Sequence, residues 1–304
     1  MKKILLGINF ENESDAAIED AYLLASRYNA TIIPIHAVEY LPRRNYQHEV
    51  DLLVGQIENR LKDISQRLSI RGVEVYEPVI EKGDPIVVLE AAAKVLEADL
   101  LIIGAGVDDP NHRTLGVTAR QIIRNSKIPV WVSNCTTEKV DYDNIVCAVD
   151  LSPASKKTLE TAAILARTLN SRLHILHVEP KMTYYPGLMN SDIPVSPWVL
   201  SEYMNEMKSE EEYSREHEEY VLSHDLKEFI STVNLEGIKT DVHVKSGKAS
   251  QEILAFSALF NAGLLIMGTT GKSGILSKLL GGTVEKILNK LPCTMLCVYH
   301  GKEN

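Results

Sequence analysis

The most constraining feature of this sequence is that its pattern of apolar runs occurs twice. The run NIVCAVD, which ends at Asp150, matches the first apolar run of the chain, and His177 matches His36 at the same offset of 141 residues. Gly268 matches Gly104 at an offset of 164 residues, so the second copy carries an insertion of 23 residues. The sequence therefore predicts a tandem repeat of one domain.

Within each copy, apolar runs of strand length alternate with amphipathic segments of helix length. In the first copy, the predicted strands are residues 3–9, 31–38, 73–80, 99–104 and 130–133. Buried strands joined by helices form parallel sheets that helices cover on both faces, with right-handed connections. We therefore predict an α/β fold of two tandem doubly wound domains, residues 1–138 and 139–304, each with a five-stranded parallel sheet of flavodoxin-like winding. In such sheets ligands bind at the carboxyl ends of the strands.

The insertion lies between the second and third predicted strands of the second copy. Residues 183–199, TYYPGLMNSDIPVSPWV, are rich in Pro, Tyr and Asn, which predicts a structured loop. A long charged helix is predicted after it, at residues 200–234, and its Glu run at 210–212 is typical of a solvated face. The sequence leaves open whether the insertion is a lid or a partner surface.

Composition and charge argue against several classes of protein. The chain has 304 residues and a formal net charge of −9, whereas non-specific nucleic-acid binding needs clustered Lys and Arg. No apolar run approaches the roughly 20 residues of a membrane span, and the start MKKILLGINFE predicts a first strand rather than a signal peptide. We therefore expect a cytoplasmic protein with no nucleic-acid and no membrane partner.

The cysteines and histidines lack the spacing of a metal site. Cys293 and Cys297 lie four residues apart in one apolar run and Cys147 lies in another, as expected for small buried side chains in a reducing compartment. His174 and His177 are three residues apart, so a strand would place them on opposite faces. The sequence accordingly predicts no metal ligands.

A glycine-rich stretch in the second copy is the main candidate for a ligand site. Residues 264–286 read LLIMGTTGKSGILSKLLGGTVEK, so a buried strand ends in glycines that lead into a helix, a setting that suits a phosphate. Gly271, Lys272 and Ser273 copy the tail of a Walker A loop, but Ile266 stands where that loop needs its first glycine. The spacing therefore argues against a Walker A loop.

The same stretch resembles the nucleotide-binding members of the universal stress protein family, which carry the motif G-x2-G-x9-G-[ST]. Gly268, Gly271 and Gly281 fit that spacing. The resemblance extends to the Val-Asp-x-Ser run that begins at Val149 and to the His-Val pair that ends at Val178. It covers nearly the whole chain, twice, and it implies that the two halves pack about a pseudo-twofold axis.

The resemblance also implies which residues contact the nucleotide. Asp150 would contact the ribose or the adenine, Val178 would meet the adenine through its backbone, and Thr283 would contact the phosphates. The full set of implied binding residues is Val149, Asp150, Val178, Met267, Gly268, Gly271, Lys272, Gly281, Gly282 and Thr283. Gly282 departs from the motif, which has Ser or Thr there, and the hydroxyl comes one residue later at Thr283.

Simpler interpretations of these residues stay open. Gly268 and Gly271 also fit an ordinary turn between a strand and a helix. Asp150 also fits a cap of the helix that follows it, and Lys272 fits a solvated loop lysine.

The first copy departs much further from the motif. Val107 replaces the second glycine, and Asp108 and Asp109 put negative charge where phosphates would lie. Asn9 replaces the aspartate of the first strand. These changes predict a degenerate domain that has lost triphosphate binding and serves as a structural partner.

These features predict an ATP- or AMP-binding stress-response protein whose second half holds the nucleotide. The implied ligand is ATP, ADP or AMP, with Mg²⁺ as the cation that can accompany it, although the sequence shows no obvious acidic cluster for that ion. No Ser/His/Asp set lies near the loop, so a binding protein rather than an enzyme is predicted. The alternatives are an interaction scaffold that binds no nucleotide and a slow ATP hydrolase.

The last predicted strands of the two copies, residues 130–133 and 294–299, are candidates for joining the halves into an internal pseudo-dimer. A tandem chain would then contain the dimer that single-domain relatives form from two chains. The sequence leaves open a further homodimer and the identity of any protein partner.

Overall fold

Strands and helices alternate along the chain in a computed structural model that describes residues 1–10, 14–39, 47–106, 115–134, 141–180, 224–269 and 280–299. The strands are β1 (Lys3–Gly7), β2 (Thr31–Val38), β3 (Val79–Lys82), β4 (Leu100–Gly104), β5 (Val130–Ser133), β6 (Asn144–Val149), β7 (Arg172–Glu179), β8 (Thr240–Ser246), β9 (Leu264–Gly268) and β10 (Thr294–Val298). The helices are α1 (Ser14–Tyr28), α2 (Gln47–Ile70), α3 (Pro85–Val95), α4 (Val117–Asn125), α5 (Pro153–Leu169), α6 (224–231), α7 (Ala249–Leu259) and α8 (Gly282–Leu288). The predicted insertion at residues 183–199 lies outside the described residues, as does most of the helix predicted after it.

The ten strands of the described residues form one sheet in the order β3-β2-β1-β4-β5-β10-β9-β6-β7-β8. Within each half the strands are parallel and follow the order 3-2-1-4-5, so the winding reverses between the first strand and the fourth. The predicted α/β class, with a doubly wound five-stranded parallel sheet in each half, is confirmed.

The two halves join edge to edge through β5 and β10, which pair antiparallel. Leu296 pairs with Trp131, and Met295 pairs with Val132. Leu296 is the residue of the second copy that matches Trp131, so each strand faces its own equivalent at this pair. A pseudo-twofold axis therefore passes between Trp131 and Leu296, and the predicted pairing of the last strands is confirmed.

Side-chain alternation along the strands divides the hydrophobic core between the two faces of the sheet. In β1, Ile4 and Leu6 belong to the core on one face and Leu5 to the core on the other. Helices α1, α2, α5 and α6 cover the first face, and α3, α4, α7 and α8 cover the second. Each core is continuous across both halves. Among the described helices, none is both long enough and apolar enough to cross a membrane.

Strand β3 is shorter than the sequence pattern predicts. The apolar pattern predicted a strand over residues 73–80, but the ladder with β2 covers only Val79–Lys82, and Val75 forms an isolated bridge to Ile32. Pro78 explains the difference because it has no N–H to donate to the neighbouring strand.

A buried carboxyl group lies at the junction between the halves. Asp20 of α1 is 5% exposed, and it accepts hydrogen bonds from Trp131 Nε1–H at 2.9 Å and from the hydroxyl of Tyr142. The rings of Trp131 and Tyr142 meet edge to face, with centroids 5.6 Å apart. Burial raises the pKa of Asp20 and that of Tyr142. Because Tyr142 belongs to the second copy, this network ties the halves together on the face that α1 covers.

The described cysteines are buried, and we expect them to be unreactive in the folded chain. Cys147, Cys293 and Cys297 are free thiols, and burial raises the pKa of Cys293 and of Cys297 to about 12. The reactive thiolate is then a very small fraction of those two thiols at pH 8. With a thiol-specific reagent such as DTNB at pH 8, all three should react only as fast as the chain unfolds. Rapid labelling of more than one thiol per native chain would contradict this, because only Cys135 lies outside the described residues.

Candidate functional site

The carboxyl ends of β6, β7 and β9 lie side by side at one edge of the sheet. β6 pairs with β7 up to Val149 and His177, and it pairs with β9 through Cys147 and Ile266. Two residues further along the same register, Val149 lies level with Gly268. The expectation that the first and fourth strands of this half are neighbours is confirmed. The predicted residues at the ends of these strands therefore share one edge.

A histidine fixes the end of the first strand in both halves. His177 is 6% exposed, and its Nδ1 lies 2.8 Å from the carbonyl oxygen of Val149. His36 makes the same contact with the carbonyl oxygen of Ile8, at 2.6 Å. A carbonyl oxygen can only accept, so Nδ1 carries the hydrogen in both rings. Each of these histidines thus holds the end of the first strand of its half in place.

The chain turns sharply at Asp150, and the turn orients its carboxylate. Leu151 has a φ of 60°, and Phe10 has a φ of 61° at the matching place in the first half, a backbone conformation that L-residues adopt only at a cost. Ser152 caps α5, since its side chain accepts from the N–H of Ser155 at 3.2 Å. Asp150 Oδ1 accepts from the N–H of Ser152 at 3.1 Å, from its hydroxyl at 2.5 Å and from the hydroxyl of Ser155. The cap is thus Ser152, and Asp150 supports it from the sheet edge.

The first turn of α8 is tied to the end of β9. Gly281 is the N-cap residue, without a side chain to cap the helix, and its N–H donates to the carbonyl oxygen of Thr269 at 3.0 Å. The N–H of Thr269 in turn donates to the carbonyl oxygen of Val298, also at 3.0 Å. The N–H groups of Gly282 and Thr283 follow in the first turn, where a helix supplies no acceptor. Sequence reasoning missed Thr269, although its place directly after β9 is a signal that it borders the edge.

Two further predicted residues frame this edge from β7 and β9. Val178 is the next-to-last residue of β7, lies opposite Lys245 of β8 and is half-buried. Met267 is 6% exposed and its side chain packs into the core that α7 and α8 cover. A ligand at the edge would therefore meet the backbone of Met267. Gly271 and Lys272 lie outside the described residues, so their roles stay predictions.

The first half repeats the same connection between its fourth strand and its last helix. The N–H of Gly116, the N-cap residue of α4, donates to the carbonyl oxygen of Ala105 at 2.9 Å, as Gly281 does to Thr269. A Cβ on Gly116 would lie 2.5 Å from the oxygen of Gly106, so the chain passes itself closely here. Val107, Asp108 and Asp109 lie outside the described residues. The scaffold of the edge is therefore common to both halves, and the differences lie in Asn9 and in the loop sequence.

Comparisons with known proteins agree with this architecture. The model of the universal stress protein family matches residues 1–134 and again residues 141–299. Universal stress protein A homolog 1 of Coxiella burnetii is 29% identical over 159 residues, which are 52% of this chain and 96% of that protein. The crystal structure of a universal stress protein from Archaeoglobus fulgidus is 21% identical with a TM-score of 0.66, covering 99% of this chain and 97% of that one.

A universal stress protein solved in complex with cAMP is 23% identical over 44% of this chain and 96% of its own, with a TM-score of 0.34. The cAMP in that structure is bound to the other protein. The two matches of the family model cover nearly all of the sequence, each over one copy of the strand order described above. This chain therefore belongs to the universal stress protein family.

Proposed function

We propose that the second half of this chain binds an adenine nucleotide, ATP or its products ADP and AMP, in a stress-response protein whose first half is the structural partner. The observation that carries the proposal is the meeting of three features at one edge of the sheet. These are the oriented carboxylate of Asp150, the end of β9 at Gly268 and the first turn of α8. Acceptors for sugar hydroxyls and donors for phosphates thus lie at the same edge.

The start of α8 suits phosphate groups for two reasons. The first-turn N–H groups of Gly282 and Thr283 point out of the helix, and the helix dipole adds roughly half a positive charge at this end. Among the residues that the structure describes, no atom lies within 4 Å of a Cβ built on Gly282. Gly281 would let a phosphate come close to the backbone but would not donate a hydrogen bond to it, because its N–H already donates to the carbonyl oxygen of Thr269.

Asp150 suits a ribose because its carboxylate is oriented before any ligand arrives. Three hydrogen bonds from the turn hold Oδ1, so binding costs little side-chain entropy at this residue. In the first half Asn9 stands at this position, and a neutral amide accepts a hydroxyl hydrogen less strongly than a carboxylate does. Together with Asp108 and Asp109 in the loop, this difference supports a single nucleotide site in the second half.

We propose binding rather than turnover as the activity. His177, the histidine nearest in sequence to the edge, is 6% exposed, so little of its ring is open to a water molecule at the phosphates. Among the residues that the structure describes, no group of three His, Cys, Asp or Glu side chains comes together at this edge. Mg²⁺ would therefore arrive with the triphosphate rather than be held in place by the protein.

Thermal unfolding with ATP, ADP and AMP tests the proposal. A ligand at about 100 times its Kd should raise the free energy of unfolding by roughly 2.7 kcal/mol. Asp150→Asn keeps an oxygen for Ser152 and Ser155 but removes the charge. We expect it to weaken binding by about tenfold to a hundredfold, the loss of one hydrogen bond to a charged group.

The matched control is Asn9→Ala at the equivalent position of the first half, which should leave the nucleotide affinity unchanged. If none of the three nucleotides shifts the transition, the proposal fails and the interaction scaffold gains support. Release of inorganic phosphate from ATP by the purified chain, lost in Gly271→Val, would instead identify a hydrolase.

A further inference from the structure

Two histidines and an aspartate meet on the sheet face beneath α7, towards the amino ends of the strands and away from the nucleotide edge. His174 lies near the start of β7, Asp241 lies near the start of β8, and His243 lies at the middle of β8. The parallel register pairs His174 with Asp241, so all three side chains share one face. Their ligand atoms lie within 4.8 Å of one another, the one group of this kind in the part of the chain that the structure describes.

The spacing of the two imidazole nitrogens matches one edge of a tetrahedral metal site. His174 Nδ1 lies 3.3 Å from His243 Nε2 and 3.7 Å from Asp241 Oδ2. A zinc ion with Zn–N distances of about 2.0–2.1 Å holds its tetrahedral ligands about 3.3 Å apart. The Asp241 side chain is 41% exposed, so a small rotation brings its carboxylate to that spacing.

Asn144 orients His174 for such a role. His174 Nε2 lies 3.2 Å from Asn144 Oδ1, an oxygen that can only accept, so Nε2 carries the hydrogen. Nδ1 then presents its lone pair towards His243 and Asp241. A metal-bound histidine almost always donates its other N–H to a partner of this kind. Without an ion, His243 Nε2–H would donate to the same lone pair; in the zinc-bound state that hydrogen lies on His243 Nδ1 instead, which leaves the Nε2 lone pair for the metal.

The first half shows that the fold does not need histidines at these positions. The residues that match His174 and His243 in the first copy are Ile33 and Val79. In the second half, Phe256 and Phe260 pack against the His174 ring, with centroids 6.1 and 4.6 Å away. The second half therefore has two imidazole rings at positions where the first half has aliphatic side chains.

We propose that His174, Asp241 and His243 bind one zinc ion through two imidazole nitrogens and one carboxylate oxygen. Imidazole and carboxylate ligands suit Zn²⁺, and three protein ligands leave a fourth position for water on the solvent side, next to Asp241. The site lies towards the amino ends of β7 and β8, whereas the nucleotide edge lies at the carboxyl ends of β6, β7 and β9. The zinc proposal therefore does not depend on nucleotide binding.

Arg172 competes with the ion for the same carboxylate. Its Nη1 lies 2.8 Å from Asp241 Oδ2, and both side chains are exposed. A guanidinium and a zinc ion that share one oxygen repel each other. Arg172→Gln is therefore expected to tighten zinc binding several-fold, whereas loss of binding in this variant would contradict the assigned ligand set.

Isothermal titration of the full chain with Zn²⁺, after removal of bound metal by a chelator, tests the site. The decisive variant is His174→Ile with His243→Val, which installs the residues of the first half and so should preserve folding. We expect the wild-type chain to bind one more equivalent of zinc than this variant. Asp241→Asn should bind at least about tenfold more weakly than wild type, because one ligand has lost its charge.

His224→Gln, which removes an exposed histidine of α6, is the matched control and should titrate as the wild type does. Equal stoichiometry and affinity in the wild type and the double variant would overturn the proposal. If the double variant does not fold, Asp241→Asn decides, and an unchanged affinity there overturns the proposal equally. A Co²⁺-loaded wild-type chain should also give the strong visible absorption of a tetrahedral site, which the variants lack.

Discussion

Replacing Asp20 by Ala is expected to lower the free energy of unfolding by about 3 kcal/mol. The substitution removes the acceptor of both Trp131 Nε1–H and the Tyr142 hydroxyl in a region where water cannot replace it. Each buried donor left without a partner costs about 1–3 kcal/mol. Denaturant unfolding followed by Trp131 fluorescence measures the loss, because this ring lies at the junction of the halves.

Thr161→Ala is the matched control, because Thr161 occupies the position of Asp20 in the second copy. Its hydroxyl donates to the carbonyl oxygen of Lys157 in its own helix, at 2.8 Å, in an exposed setting. We expect a change within about 0.5 kcal/mol. If the two substitutions had similar effects, the Asp20 network would not be a main tie between the halves.

The stability contribution of Asp20 should also depend on pH in a direction that its burial sets. Burial raises the pKa of Asp20 above its ordinary value of 3.8, with Glu19 adding a smaller effect in the same direction. The folded chain then binds the proton more tightly than the unfolded chain. The contribution is full below pH 3.8 and falls as the pH rises through the raised pKa. Asp20→Asn removes this titration. The difference in unfolding free energy between the wild type and Asp20→Asn should therefore change sharply only between pH 3.8 and the raised pKa of Asp20.

The repeat and the hydrophobic periodicity were sufficient to predict most of the fold. Strands β2 and β5 begin and end at the predicted residues, because apolar runs and the residues that flank them act over a few neighbouring positions. β3 was predicted too long because the apolar pattern continues through residues 73–77, while Pro78 interrupts the hydrogen-bond ladder. At this strand the missing backbone donor outweighs the side-chain pattern.

Contacts between residues distant in sequence were not predictable in the same way. Asp20 looks like a residue of the polar face of α1, and only the docking of Trp131 and Tyr142, more than 100 residues later, buries it. His174 was compared with its near neighbour His177, yet its partner His243 lies 69 residues further along, on the adjacent strand. Strand order was therefore needed before either cluster could be recognised.

At the candidate site, the sequence predicted which strands end together but not how each backbone group is used. The resemblance places Gly281 among the nucleotide-binding residues, yet its N–H already donates to the carbonyl oxygen of Thr269. Likewise, the turn from Asp150 to Ser155 depends on a left-handed residue, Leu151, that no composition rule would select. Backbone geometry, more than residue type, decides which donors are left for a ligand.

The lack of a hydroxyl group at Gly282, at the start of α8, is expected to limit the nucleotide affinity. Adding a hydroxyl there should strengthen binding. Gly282→Ser places a hydroxyl where the family motif has one, and a Cβ at Gly282 meets no atom of the described part of the chain within 4 Å. We expect about tenfold tighter ATP binding, which corresponds to one added hydrogen bond to a charged group. Thr283→Ala should weaken binding by a similar factor if its hydroxyl now serves in that place. Titration calorimetry with ATP measures both.

The first half supplies controls with the same geometry and no expected ligand. Val117 and Thr118 begin α4 as Gly282 and Thr283 begin α8, so Val117→Ser and Thr118→Ala alter a helix start in the same way. Neither should change the ATP affinity, because Asn9 and the acidic loop leave that edge unsuited to a nucleotide. If Gly282→Ser and Thr283→Ala are both as silent as their counterparts, the phosphates do not lie at the start of α8. The nucleotide would then have to be held by Asp150 and the β9 edge alone.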